Sequence, residues 1–136
     1  KPWLGMDYFN SSSDGSIDLG QILGRWGAMP RLDEIVTLSG IPGKIDVSGA
    51  TVWQLWMEKR LRDIVNYNDF DALSTYLLWA RTAHFAGLLS DKAYEVEQRC
   101  VRDLIGREIE AGKSHLVRYL ARWDELLELI ARRRDA

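Results

Sequence analysis

Apolar residues recur every three or four positions through most of this chain, and no segment alternates apolar and polar residues as a half-buried strand does. The clearest stripe lies near the end of the chain and consists of Leu116, Leu120, Trp123, Leu127 and Ile130. Charged residues lie mostly on the other side of that helical repeat, as in an amphipathic helix. Because no strand pattern and no internal repeat is present, the chain as given is predicted to be all-α.

Start and stop signals predict several helices of different length. The expected helices cover residues 18–25, 32–38, a stretch beginning near Ala50, 61–86, 91–111 and the final segment. The run 61–86 fits one long helix, or two helices joined near Tyr67. Residues 1–16 lack periodicity and are predicted to form an irregular or hairpin-like loop.

Composition narrows the classes of protein that the chain can belong to. Its 136 residues suffice for one domain with a core, and its net charge of −2 excludes a general basic coat for nucleic acid. The single cysteine, Cys100, forms no internal disulfide and is predicted to be a small core residue. No apolar run is long enough to span a membrane, so a soluble, cytoplasmic protein without a membrane partner is predicted. The chain begins at Lys1 without a leader and is interpreted as an excerpt of a longer protein.

One short motif points to chemistry. Tyr67 and Asp71 are four residues apart, so on a helix their side chains lie on one face. A carboxylate that holds a divalent cation beside a phenol that orients water suits metal-assisted hydrolysis of a phosphodiester. The same spacing also fits a surface carboxylate beside a half-buried ring, and the spacing alone does not choose between these readings.

The sequence around this motif resembles a known family, the predicted PolB-like 3′→5′ exonucleases of the DnaQ-like, ribonuclease H-type superfamily (DEDDy type). The resemblance covers roughly residues 1–90 and follows the family's order and spacing. It rests on Ile17-Asp18-Leu19, Arg31-Leu32-Asp33-Glu34, Gly40-Ile41-Pro42-Gly43-Lys44, Val52-Trp53, Ile64-Val65-Asn66-Tyr67, Asp71, Thr75-Tyr76-Leu77-Leu78, Arg81 and Gly87.

This resemblance implies a function and a fold. Asp71 would be a ligand of Mg²⁺ or Mn²⁺ in a two-metal site, Tyr67 would position the attacking water, and nucleoside monophosphates would be removed from a nucleic-acid 3′ end. The substrate would be DNA, with a single-stranded 3′ end, or RNA. Residues 1–90 would be the C-terminal part of an α/β ribonuclease H-like exonuclease domain, and residues 91–136 a two-helix C-terminal extension.

The family pattern is incomplete in this chain. The first motif of the family is Asp-x-Glu, which occurs nowhere in the 136 residues, and the second acidic motif is also missing. Asn68 and Asp69 stand where the family commonly has Cys-Glu. The chain alone is therefore expected to be inactive, and its expected partners are the absent sheet-bearing N-terminal half or a second copy of the chain.

Other residues receive structural or secondary roles. Lys44 is predicted to contact a substrate phosphate if its loop borders the substrate groove, and Asp18 is predicted to be a helix cap. Packing or surface roles are expected for His84 and His115, and core packing for at least four of the six tryptophans. The alternative function is a non-catalytic helical interaction module, in which Tyr67 and Asp71 are incidental and the terminal helices bind a partner.

Overall fold

A computed structural model describes residues 18–24, 31–43, 45 and 51–134. Every element in these ranges is a helix, which agrees with the all-α prediction. The elements are α1 (Leu19–Gly24), α2 (Leu32–Leu38), α3 (Val52–Met57), α4 (Leu61–Phe85), α5 (Asp91–Glu110) and α6 (Leu116–Arg134). Two compact units divide the chain, Lys1–Arg31 with α1 and Leu32–Ala136 with the other five helices. The irregular loop predicted at residues 1–16 lies outside the described residues.

Helix α4 is the centre of the second unit. It runs without a break from Leu61 to Phe85, so Tyr67 lies within one continuous helix. Helices α2, α3 and α5 all pack against it, and α6 packs against α5. Helix α5 begins as predicted, because the Ala93 amide donates a hydrogen bond to the Ser90 hydroxyl over 3.2 Å. No helix among the described residues has the length and apolar character needed to cross a membrane.

The core of this unit is built from aromatic and aliphatic side chains of α4, α5 and α6. Phe70 of α4 stacks on Tyr119 of α6 with ring centroids 5.7 Å apart, and Tyr119 meets the edge of Trp123 at 6.5 Å. Ile105 of α5 is fully buried beside them. The inward face of α6 is therefore Leu116, Tyr119, Trp123 and Leu126.

That inward face differs from the predicted stripe. Leu120 is half-buried and Leu127 is 38% exposed, whereas Tyr119 is completely buried. Tyr119 can face the core because its hydroxyl has a partner there, the Ser74 hydroxyl at 3.0 Å. The predicted stripe therefore shares Leu116 and Trp123 with the observed inward face but does not include Tyr119 or Leu126.

Four described helices end in the same hydrogen-bonded turn. In this Schellman motif the residue after the C-cap adopts the left-handed conformation, which glycine adopts without steric cost. Gly40, Gly87 and Gly112 occupy that position after α2, α4 and α5, with φ of 73°, 76° and 106°. After α3 the position belongs to Lys59, with φ of 57°. A side chain in this conformation costs about 1 kcal/mol.

Candidate functional site

Helix α4 brings Tyr67 and Asp71 together, one turn apart on the same face. The Tyr67 hydroxyl donates a hydrogen bond to the Asp71 carboxylate. The pKa of Tyr67 is raised to about 12, first by burial, then by this hydrogen bond and by the negative charges of Asp71 and Asp33. The phenol therefore stays protonated at neutral pH.

Asp33 is the third member of this site, although the spacing of residues gives no signal for it. Helix α2 packs on α4, and the Asp33 carboxylate is close enough to Tyr67 to influence its pKa. A methyl group added at Gly43 would lie 2.5 Å from Asp33 Oδ1 and 2.8 Å from Thr37 Oγ1. The loop after α2 therefore passes directly over α2 itself. We call Asp33, Tyr67 and Asp71 the acidic corner.

Ser74 fixes the position of that loop relative to the acidic corner. Its buried hydroxyl donates a hydrogen bond to the Pro42 carbonyl over 2.8 Å and lies 3.0 Å from the Tyr119 hydroxyl. Ser74 follows Asp71 by three residues on α4, so one helix positions both the loop and the carboxylate. Lys44, the predicted phosphate contact, follows Gly43 but lies outside the described residues.

Two carboxylates of α4 have opposite surroundings. Asp69 Oδ2 lies 2.9 Å from His115 Nε2 and 3.4 Å from Lys113 Nζ, so Asp69 is held by a hydrogen bond to His115 and an ion pair with Lys113. Among the residues that the structure describes, no lysine, arginine or histidine nitrogen lies within 4 Å of the Asp71 carboxylate. Asp71 is half-buried and keeps oxygen lone pairs available, which suits a hard divalent cation.

The described residues supply only part of a metal site. No group of three or more histidine, cysteine, aspartate or glutamate side chains with metal-binding geometry occurs within these ranges. The two carboxylates and the phenol of the acidic corner supply fewer oxygen ligands than two divalent cations need, since each takes several. Asp71 could serve as one such ligand.

Comparison with protein families identifies the family of the chain. Residues 1–123 match the model of a family described as "Predicted 3'-5' exonuclease related to the exonuclease domain of PolB". The chain belongs to this family. The match confirms the resemblance seen in the sequence and continues beyond residue 90, through α5 and into α6. No curated protein and no solved structure gives a significant match to the chain.

Within this exonuclease-related family member, the histidines have local structural partners. His84 Nε2 lies 2.8 Å from Asp91 Oδ1, and the His84 ring stacks on Tyr94 with centroids 4.6 Å apart. His115 pairs with Asp69 and contacts the Phe70 ring at 5.6 Å. Both contacts join α4 to a neighbouring part of the chain, as expected for packing and surface roles.

The described tryptophans are divided between the core and the surface. Trp123 is buried and Trp79 half-buried, but Trp53 and Trp56 are 70% and 58% exposed. Trp3 and Trp26 lie outside the described residues. The core position predicted for Cys100 is wrong, because its side chain is exposed on α5. Its neighbour in sequence, Val101, occupies the inward position of that helix instead.

Proposed function

We propose that this chain is the C-terminal part of a metal-dependent 3′→5′ exonuclease that hydrolyses phosphodiester bonds at nucleic-acid 3′ ends, with single-stranded DNA as the substrate. The observation that carries the proposal is the pairing of Tyr67 with Asp71, a carboxylate that has no cationic partner among the described residues. Membership of the PolB-related exonuclease family supports the reaction class.

Asp71 would hold a divalent cation, Mg²⁺ or Mn²⁺, through its free carboxylate oxygens. Such an ion, when bound, lowers the pKa of a bound water and stabilises the charge that develops on the phosphate. The rest of the ligand set is proposed to come from an upstream, sheet-bearing half of the same protein. In support of this partner, Leu61 and Val65 of α4 lie one turn apart and are 53% and 56% exposed.

Tyr67 would orient the attacking water. Its single hydroxyl hydrogen is donated to Asp71, which leaves the phenol oxygen as a hydrogen-bond acceptor. A water that donates one hydrogen to this oxygen would direct a lone pair toward phosphorus. Because the pKa of Tyr67 is about 12, the group acts as a neutral phenol and does not remove the proton of the water as a base. Lys44 remains our proposed contact for a substrate phosphate.

The test measures release of mononucleotides from a 3′-labelled single strand, in Mn²⁺, by the protein that includes its upstream half. We expect Asp71→Asn to lower the rate by at least about 100-fold, since loss of a metal ligand removes several kcal/mol of charge stabilisation. Tyr67→Phe should lower kcat by about tenfold or more, because the water loses its acceptor. The isolated 136-residue chain should release no mononucleotide.

Matched controls lie on the same helix. Asp69→Asn removes a carboxylate two residues from Asp71 that is held by structural pairs, and it should leave the rate within a few-fold. Tyr76→Phe removes a phenol that donates its hydrogen bond to Glu97 rather than to Asp71, and it should leave kcat unchanged. Hydrolysis that survives Asp71→Asn would remove Asp71 from the site. A complete protein without any nuclease activity would favour the alternative, a non-catalytic helical interaction module.

A further inference from the structure

Helix α3 presents an aromatic face to solvent. Leu55 is buried against the rest of the unit, whereas Trp53, Trp56 and Met57 are 70%, 58% and 64% exposed. Trp56 and Met57 follow Trp53 by three and four positions, so each neighbours Trp53 on this side of the helix. Large contiguous exposed apolar patches are rare on soluble proteins and mark surfaces that bind something.

The turn that follows this face carries free positive charge. Arg60 is paired, with Asp63 at 2.7 Å and Glu58 at 3.4 Å. Lys59 and Arg62 are exposed, and neither has a carboxylate oxygen within 4 Å among the residues described. The chain as a whole carries a net charge of −2, so this local excess of cations runs against its average. A surface with exposed indoles and unpaired cations is complementary to a polyanion with stackable rings.

Lys59 occupies a position at which the fold favours glycine. The Arg60 amide donates to the Leu55 carbonyl over 2.9 Å and the Lys59 amide to the Trp56 carbonyl over 3.0 Å, which closes the turn and forces positive φ at Lys59. The equivalent turns after α2, α4 and α5 all use glycine. Lysine at this position costs about 1 kcal/mol relative to glycine, so its side chain is a candidate for a role outside folding.

We propose that the α3 face formed by Trp53 and Trp56, together with the Lys59 turn, is a docking surface for single-stranded nucleic acid. The indoles would stack on successive bases, and Lys59, with Arg62, would contact the phosphates between them. Stacking of this kind accepts any base, because every base has a π-face. The inference rests on the proposed function and gives it a substrate-holding surface separate from Asp71.

The test measures binding of a single-stranded oligothymidylate to the full chain in EDTA, where no metal-dependent hydrolysis occurs. Trp53→Leu combined with Trp56→Leu keeps apolar bulk but removes the indoles, and it should raise the Kd by at least about tenfold. It should also abolish the part of the tryptophan fluorescence that the oligonucleotide quenches. An unchanged Kd would overturn the proposal.

Lys59→Gly separates folding from binding, because the proposal predicts opposite signs for the two. The melting temperature should rise, since glycine relieves the strain at this turn. Binding should weaken, and the slope of log Kd against log salt concentration should fall by about one. Lys92→Ala, which removes an exposed lysine at the start of α5, should change neither slope nor Kd.

Two results for Lys59→Gly would overturn the proposal. One is a more stable protein with unchanged binding and salt dependence, and the other is a less stable protein, which would show that the fold itself retains the lysine. The binding assay and the nuclease assay test the two proposals separately. If the Trp53 and Trp56 variant binds normally and hydrolysis depends on Asp71, only the docking surface is rejected. If the indole face binds the oligonucleotide but the complete protein hydrolyses nothing, only the exonuclease proposal is rejected.

Discussion

At the scale of single residues, Asp69 and Asp71 show how environment separates two identical side chains on one helix. Asp69 joins α4 to the turn before α6 through His115 and Lys113. Its side chain is 24% exposed and that of His115 is 16% exposed, so this pair is mostly shielded from water. Asp71 has no comparable cation among the described residues, and its partner there is the Tyr67 hydroxyl.

We predict that Asp69→Asn destabilises the chain more than Asp71→Asn does. The first change should lower the free energy of unfolding by about 1 to 2 kcal/mol, because a shielded hydrogen bond loses its charged acceptor and Lys113 loses an ion-pair partner. The second should cost less, because Tyr67 can still donate to the asparagine oxygen and no ion pair with a described residue is lost. Urea unfolding followed by circular dichroism measures both values. Equal losses would contradict the view that Asp69 contributes more to folding than Asp71.

A second prediction at this scale concerns the ionisation of Tyr67. Its pKa is about 12 in the folded chain and about 10 when unfolded, so the group stabilises the fold fully below pH 10. That contribution disappears as the pH rises through the folded pKa. In metal-free buffer, the difference in phenolate absorbance between the unsubstituted chain and Tyr67→Phe reports the ionisation of Tyr67. This difference should have its midpoint near pH 12.

Asp71→Asn should move that midpoint toward 10, because it removes a negative charge and weakens the hydrogen bond that holds the proton. Burial still raises the pKa of Tyr67 in this variant, so the shift should be incomplete. Tyr76 is the matched control, since Glu97 rather than Asp71 raises its pKa to about 12. The Tyr76 midpoint, assigned with Tyr76→Phe, should therefore not change on Asp71→Asn. If Asp71→Asn left the Tyr67 midpoint unchanged, the pairing in the acidic corner would be contradicted.

At the scale of elements, the turn after α2 is held by its contact with α6. A methyl group at Gly40 would collide with Cδ1 of Ile130, whereas one at Gly87 would meet no atom within 4 Å. Both glycines have positive φ, so alanine costs about 1 kcal/mol in backbone strain at either position. Gly40→Ala should cost somewhat more than this, because Cδ1 of Ile130, the end of a flexible side chain, must move aside.

The pair of glycines therefore isolates the packing contribution. We expect denaturant unfolding to show a larger loss for Gly40→Ala than for Gly87→Ala. Ile130→Val removes the colliding methyl group, and when combined with Gly40→Ala it should recover part of the loss. Losses of equal size in the two glycine variants would show that the turn does not depend on α6.

The elements also show which features a sequence can predict here. The helices and the Tyr67/Asp71 pairing are local, because they depend on spacings of three or four residues along one helix. Asp33 joins the site only through packing of α2 on α4, and no short spacing encodes that contact. The burial of Tyr119 and the exposure of Cys100 depend on tertiary packing in the same way. A polar hydroxyl can be buried when a distant Ser74 bonds it, and a small apolar residue can be left outside.

At the scale of the whole molecule, α6 is part of the core that supports the acidic corner. It contributes four buried side chains, those of Leu116, Tyr119, Trp123 and Leu126. Through Tyr119 it also contacts Ser74, which holds the Pro42 loop in place. The boundary predicted at residue 90 divides the chain into residues 1–90 and 91–136. Unfolding experiments can measure whether the first part folds without the second.

We predict that residues 32–136 fold without the first unit and that residues 1–90 do not fold without α5 and α6. The longer piece keeps the packing among α2 to α6, which all belong to one compact unit. The shorter piece loses Tyr119 and Trp123, and removing one such aromatic side chain costs about 3 to 5 kcal/mol. Losing both, with two further buried side chains, approaches or exceeds the total stability of about 5 to 15 kcal/mol of a typical domain.

Thermal unfolding followed by circular dichroism distinguishes the two pieces. Residues 32–136 should be helical and melt in one cooperative transition. Residues 1–90 should lose helix gradually on heating, because Phe70 and Leu77 of α4 would face water instead of α5 and α6. A cooperative transition in the shorter piece would show that the part carrying Tyr67 and Asp71 folds by itself. The last two helices would then be an accessory extension rather than a support for the site.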